Sequence, residues 1–379
     1  MQINRKLFEI LKGKIDYKKV ILLLGPRQVG KTTLVKSLAE KLSPDFLYLN
    51  GDEISVKNSL ENPSLQFLKA YFGQSKFIVI DEAQRITDIG LTLKLIVDNF
   101  SGIQLIVTGS SALELSNTIN EPLTGRKWEY KMYPLSWSEI SEWEGLAKSL
   151  SRLENLLVFG SYPEVVTGSG QEIPILTNLA TSYLYKDLLN FHGIRKPELL
   201  NKLLQALAWQ VGSEVSFNEL SSTVQADKAT VSNYIDLLEK AFILTKLQPF
   251  SRNLRSEISS SRKIYFLDNG IRNSIIGNYS PINGRSDIGA LWENFLIAER
   301  QKILSYNGFH GKSYFWRTVR GQEIDYIEEI DGKIHPFEFK WNPKAKTRFP
   351  ASFIEAYQPE TPQVIHQDNF WEWLNSYPY

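Results

Sequence analysis

Gly25–Thr32 reads GPRQVGKT, two glycines framing a short loop that ends in a lysine and a hydroxyl residue. This spacing suits phosphate. Glycines let a backbone wrap closely enough for its N–H groups to point inward, and a helix starting at the loop adds partial positive charge. The apolar run Val20–Leu24 precedes the loop, and a helix is predicted from about Lys31 to Leu42. A strand before and a helix after turn a weak pattern into a strong one. The candidate phosphate-binding residues are therefore Gly25, Pro26, Arg27, Gln28, Val29, Gly30, Lys31, Thr32 and Thr33. Lys31 would reach the β and γ phosphates of a nucleoside triphosphate, and the Thr32 hydroxyl would ligate Mg²⁺.

A second segment, FIVIDEAQ at Phe77–Gln84, ends an apolar run in Asp81 and Glu82. Ligands gather at the C-terminal edge of a parallel sheet. There Asp81 would hold Mg²⁺ and Glu82 would orient and polarise the attacking water. The competing reading, two acids capping the next helix, leaves the metal without a protein carboxylate. LIVTGSSA at Leu105–Ala112 offers Thr108 or Ser110 to the γ-phosphate or the water. LTGR at Leu123–Arg126 supplies a candidate catalytic arginine, acting in cis or from a neighbouring subunit; a surface salt bridge is the alternative. No N-K-x-D guanine-reading segment follows, so ATP is expected over GTP.

These elements must sit on alternating strands and helices. Strands are predicted at Val20–Leu24, Phe46–Leu49, Phe77–Ile80 and Leu105–Thr108, with helices near Leu65–Phe72 and Leu91–Phe100. That order implies an α/β fold with a helix-covered parallel sheet. GPRQVGKTTL, VIDEAQ, VTGSSA, LTGR, YPLSWSEI (Tyr133–Ile140) and GSYPEV (Gly160–Val165) occur in the order seen in prokaryotic AAA-like ATPases with a C-terminal DUF4143 region. The resemblance extends over nearly the whole chain. It implies a P-loop AAA-like ATPase with a helical lid at 1–195, a winged helix-turn-helix at 196–262, and a DUF4143 region at 263–379.

Phe217–Leu244 has the pattern of a helix-turn-helix, with Lys228, Thr230, Ser232 and Asn233 on the exposed start of its second helix. Lys246, Arg252, Arg255, Arg262 and Lys263 follow with Glu257 as the only acid, a local basic patch suited to DNA phosphates. The alternative is a winged helix used as a connector or a protein contact.

In the last third, Glu293 lies on a predicted helix, Asp325 on a strand, and Glu338 and Lys340 on the next strand. Glu338 and Lys340 share one face, because strand side chains alternate. The order helix-Glu, strand-Asp, strand-E-x-K resembles the PD-(D/E)XK nuclease superfamily, to which DUF4143 is similar. The resemblance implies a restriction-endonuclease-like α/β domain. Asp325, Glu338 and Glu293 would hold Mg²⁺ there, and Lys340 would assist the water. Hard cations prefer such oxygen ligands. E-x-K alone also arises from salt-bridged strand faces, so an inert nuclease-like fold stays open.

Composition narrows the classes further. The net charge of +1 advertises no global basic field. The absence of cysteine excludes disulfides, thiolate metal sites and cysteine nucleophiles, and fits a reducing compartment. No apolar run is long enough to span a bilayer, so a soluble, cytoplasmic protein is expected. The leading reading is an Mg²⁺-dependent, DNA-associated ATPase with a nuclease-like C-terminal part, open to homo-oligomerisation. The alternative is a signalling or scaffold ATPase that controls protein assembly without cutting DNA.

Overall fold

The computed structural model describes residues 3–110, 122–184, 196–251 and 261–377. The chain divides into two compact units, Met1–Leu135 with Lys240–Phe242, and Ser136–Glu239 with Ile243–Tyr379.

The first unit runs α1 (Lys6–Lys12), β1 (Val20–Leu24), α2 (Lys31–Leu42), β2 (Leu47–Asn50), α3 (Ile54–Leu60), α4 (Leu65–Phe72), β3 (Phe77–Asp81), α5 (Ile89–Asn99), β4 (Gln104–Gly109) and β5 (Lys127–Lys131). Its sheet has the order β2-β3-β4-β1-β5, and every pair is parallel. β1, β3 and β4 are buried at every residue. They therefore read as continuous apolar runs rather than alternating ones, as strands covered on both faces do. β5 escaped the sequence reading because KWEYK is an edge strand with its charges toward solvent. The order sets the geometry that matters. Leu24 pairs with Gly109, and Ile80 pairs with Val107. The loop after β1 and the acids ending β3 thus emerge on one edge, with only β4 between them.

The second unit begins with α6 (Trp137–Glu144), α7 (Leu146–Phe159), α8 (Pro163–Thr167) and α9 (Glu172–Asn178). Ser136 starts α6 with a reciprocal capping box, accepting from Glu139 N while Glu139 accepts from Ser136 N. Then follow α10 (Pro197–Trp209), β6 (Glu214–Ser216), α11 (Phe217–Val224), α12 (Lys228–Lys240), β7 (Leu244–Pro249) and β8 (Ser261–Phe266). The remainder is α13 (Asn269–Ile276), α14 (Ile288–Tyr306), β9 (Lys312–Arg317), β10 (Glu323–Ile330), β11 (Lys333–Phe339), α15 (Ala351–Tyr357), β12 (Gln363–Ile365) and α16 (Phe370–Leu374).

One seven-stranded sheet, β12-β11-β10-β9-β7-β8-β6, spans most of this unit. The 262/263 boundary read from the sequence falls inside β8. That strand pairs with β7, and β7 in turn meets the C-terminal strands through its parallel pairing with β9. α14 packs over the sheet. The Asn294 side chain accepts from Phe266 N at 2.7 Å and donates to Phe266 O at 2.9 Å, which fixes the helix against β8. The fully buried Arg300 and Glu328 form a two-bond pair at 2.7 and 3.1 Å. Breaking such a pair from one side costs on the order of 3–5 kcal/mol, because it strands a buried charge.

Candidate functional site

The loop between β1 and α2 is shaped by two residues with positive φ, Gln28 at 60° and Gly30 at 94°. Gly25 has a different constraint. A Cβ there would lie 2.1 Å from the Met132 carbonyl oxygen, so only glycine fits where the loop leaves the sheet. Arg5 braces the loop, donating to Val29 O and Tyr133 O, both at 2.6 Å. Lys31 is buried, and its Nζ donates to Gly25 O and Pro26 O at 2.8 Å. Thr32 is half-buried, while Thr33 faces outward on the first turn of α2. The N–H groups of that first turn have no partner within the helix, which makes them donors for an anion.

Asp81 closes the site. Its Oδ2 accepts from Thr32 Oγ1 at 2.7 Å and from Tyr48 OH at 2.6 Å, and its Oδ1 accepts from Thr108 Oγ1. Thr108 Oγ1 also accepts from Glu82 N at 3.1 Å. Glu82 sits in the left-handed region at φ 51°, immediately after β3. Gln84 Nε2 reaches Glu82 Oε2 at 2.5 Å and Ser110 Oγ at 2.9 Å. Burial and the bond to Asp81 raise the Tyr48 hydroxyl above its ordinary range, so it stays a donor. The hydroxyl and carboxylate oxygens of Thr32 and Asp81 are hard donors suited to Mg²⁺.

The sequence therefore identified the loop, Asp81, Glu82, Thr108 and Ser110, and the fold gathers them. It gave no signal for Tyr48 or Arg5, which lie outside the motifs. Gln84 lay in plain view within VIDEAQ without an assigned role. Ser111 and Ala112 fall outside the described residues. Arg126 is not brought to the loop. Its carbonyl accepts from Val20 N, at the start of β1, whereas the loop follows the end of that strand. Five residues at 3.3 Å each separate them by roughly 16 Å. Arg126 instead donates to Asp98 at 2.6 and 3.3 Å, and its guanidinium lowers the Asp98 pKa.

Residues 17–141 match an AAA domain. Residues 150–281 match a domain of unknown function, DUF8612, and residues 288–375 match DUF4143. An uncharacterised protein of Mycobacterium tuberculosis is 28% identical over 327 residues, covering 85% of this chain and 70% of its own length. The replication factor C large subunit of Thermofilum pendens is 31% identical over 157 residues, covering 38% of this chain and 34% of its own. A Walker-type ATPase of Pyrococcus abyssi has a TM-score of 0.47 at 15% identity, covering 72% of this chain and 94% of that one. The AAA domain contains the whole phosphate loop and both acids. The DUF8612 match starts inside α7 and ends past β8, so it takes in the helix-turn-helix segment whole.

The DUF4143 match carries Glu293, Asp325, Glu338 and Lys340, and their surroundings differ from the sequence expectation. A β-bulge in β10 between Ile324 and Ile327 re-aims Asp325. Asp325 Oδ2 accepts from Phe339 N at 2.8 Å and Lys340 Nζ at 3.3 Å, and Glu338 Oε2 pairs with Lys340 Nζ at 2.7 Å. Glu293 stands within charge range of Asp325 but is held by other partners. Its Oε1 accepts from Lys263 Nζ at 3.0 Å and Tyr265 OH at 2.5 Å. Lys263 also pairs with Glu323 at 2.5 Å. Burial pushes the carboxyls of Glu293 and Glu338 up to about 7. Among the described residues, no three His, Asp or Glu side chains are grouped to hold a metal. Lys340 sits between Asp325 and Glu338, where the sequence expectation put it, and Lys263, which that expectation did not include, takes Glu293.

Lys263 carries a second correction. Expected in a surface basic patch, it is 1% exposed and spent on carboxylates. Lys246 is likewise paired, with Asp236 at 2.5 Å and Glu239 at 2.7 Å. Thr230 is taken by Asp227 at the start of α12. Lys228 and Asn233 remain exposed. Arg252, Arg255 and Glu257 lie outside the described residues. No helix among the described residues is long and apolar enough to cross a membrane.

Proposed function

We propose that the chain binds MgATP in the loop Gly25–Thr33 and hydrolyses it. The observation that carries this reading is the 2.7 Å contact between the Thr32 hydroxyl and the Asp81 carboxylate, made across β4 on the sheet's C-terminal edge. Two oxygen ligands from separate motifs meet where a phosphate-bound cation would be held. Lys31 leaves its loop carbonyls for the β and γ phosphates, and the first-turn N–H groups of α2 receive the remaining charge. Bound Mg²⁺ would neutralise charge developing on the transferred phosphoryl. Glu82 accepts the water's proton, and Thr108 keeps Asp81 and the Glu82 backbone in register. Within one chain no role at the phosphates is left for Arg126. In a homo-oligomer it would serve the neighbouring copy.

We read the series α10-β6-α11-α12-β7-β8 as a winged helix, a reading supported by the antiparallel pairing of β8 with both β6 and β7. DNA association through α12 is the first use we propose for it, supported by exposed Lys228 and Asn233. The engagement of Lys246, Lys263 and Thr230 favours the second use, a protein contact in a nucleotide-controlled assembly. The C-terminal cluster, held by its own lysines, is proposed to stabilise its sheet rather than to cut phosphodiesters.

Steady-state phosphate release, with and without Mg²⁺ and with and without duplex DNA, tests these readings together. The ATPase reading requires Mg²⁺-dependent release and is lost if none occurs. Stimulation by DNA supports the first use of the winged helix. ATP-dependent association indifferent to DNA supports the second.

A further inference from the structure

Gln84 joins the ends of two strands. It follows β3 by a short turn, while Ser110 directly follows β4. Its Nε2 donates to the Glu82 carboxylate at 2.5 Å and to Ser110 Oγ at 2.9 Å. The other end of the same amide, Oε1, is buried and has no hydrogen-bond partner. Buried acceptors are nearly always satisfied, and one left open next to a reacting centre is a place for a water or a ligand group. Glu82 is itself held at φ 51°, a conformation that needs surrounding structure to keep it. The carboxylate that would activate water is thus tied through a single side chain to Ser110, one of the two hydroxyls offered to the γ-phosphate.

We propose that Gln84 is a positioning residue for ATP hydrolysis, holding the Glu82 carboxylate and reporting to it, through Ser110, whether a γ-phosphate is present. A γ-phosphate oxygen would draw the Ser110 hydroxyl to itself. Gln84 would then pivot with Ser110, turn Glu82 toward the phosphate, and offer Oε1 to a proton of the attacking water. With a diphosphate, Ser110 keeps its bond to Gln84 and Glu82 stays turned aside. This inference rests on the proposed ATP hydrolysis.

The test compares Gln84→Ala, Gln84→Glu and Ser110→Ala with the wild-type chain, measuring ATP affinity, kcat, KM and melting temperature. Gln84→Ala should lower kcat by roughly 10- to 100-fold, within the range that general-base positioning contributes, while KM and ATP affinity move by less than about threefold. Gln84→Glu should lower kcat at least as far, because a carboxylate cannot donate to Glu82 and repels it. Ser110→Ala should lower kcat without adding to the loss in Gln84→Ala. A structural role alone would move stability and affinity together with kcat. Turnover by wild type and Gln84→Ala within twofold of each other overturns this inference and leaves ATP hydrolysis standing. Absence of turnover in the wild type overturns both. If Gln84→Ala loses ATP binding, Gln84→Glu decides: turnover within twofold of the wild type overturns the inference.

Discussion

Replacing Gly25 by alanine tests how the phosphate loop is seated. The added Cβ would meet the Met132 carbonyl oxygen at 2.1 Å, against 3.4 Å for an ordinary contact, a shortfall of about 1.3 Å. No side chain can swing aside to relieve it, because the clashing atom is backbone. That backbone is fixed, since Met132 N donates to Leu24 O at 2.7 Å. The loop side is held as well, with Gly25 N donating to Gly109 O at 3.3 Å. The loop must therefore shift by about an ångström or β5 must peel from β1. Overpacking of this kind costs about 1–3 kcal/mol, which corresponds to roughly a 5- to 160-fold loss in ATP affinity if binding bears it. Titration of a fluorescent ATP analogue, paired with urea unfolding, separates the two. Gly284→Ala is the control, because a Cβ there meets nothing within 4 Å. If Gly25→Ala binds ATP and unfolds like the wild type, the close approach of loop and strand is wrong.

Two further predictions concern the second unit. Lys263→Met leaves Glu293 and Glu323 without their buried cation and should destabilise the unit by on the order of 3–5 kcal/mol in urea unfolding; a loss under 1 kcal/mol would contradict its placement. The Glu293 carboxyl is raised by burial to about 7, above its unfolded value, so its contribution to stability is full below about pH 4.5 and fades as pH rises through 7. Melting temperatures should thus fall between pH 5.5 and 8, and Glu293→Gln should flatten that fall; an unchanged slope counts against the assignment.

The sequence was most legible where chemistry and burial coincide. β1, β3 and β4 announce themselves because every residue is buried and each carries a continuous apolar run, Val20–Leu24, Phe77–Ile80 and Leu105–Val107. The loop and acids at their ends follow from strand direction alone. β5 and β8 were hidden for opposite reasons. KWEYK is polar because it is an edge strand. SRKIYF read as part of a basic patch because its lysine is charged yet buried. Charge alone cannot distinguish a solvated lysine from one among carboxylates brought in by β10 and α14, and this is why Lys263 was misread as surface. For Arg126 the choice between a cis role, a trans role and a salt bridge stayed open in the sequence, because its distance from the loop depends on which end of β5 it adjoins, and the strand itself carried no pattern to show that.

The most direct test of the central claim is ATP binding by Lys31→Ala set against the wild type, in Mg²⁺. The wild type should bind, and the variant, deprived of the ammonium that now rests on Gly25 O and Pro26 O, should bind far more weakly while melting at a similar temperature. Equal affinity in the two proteins would mean that the triphosphate is not held by this loop.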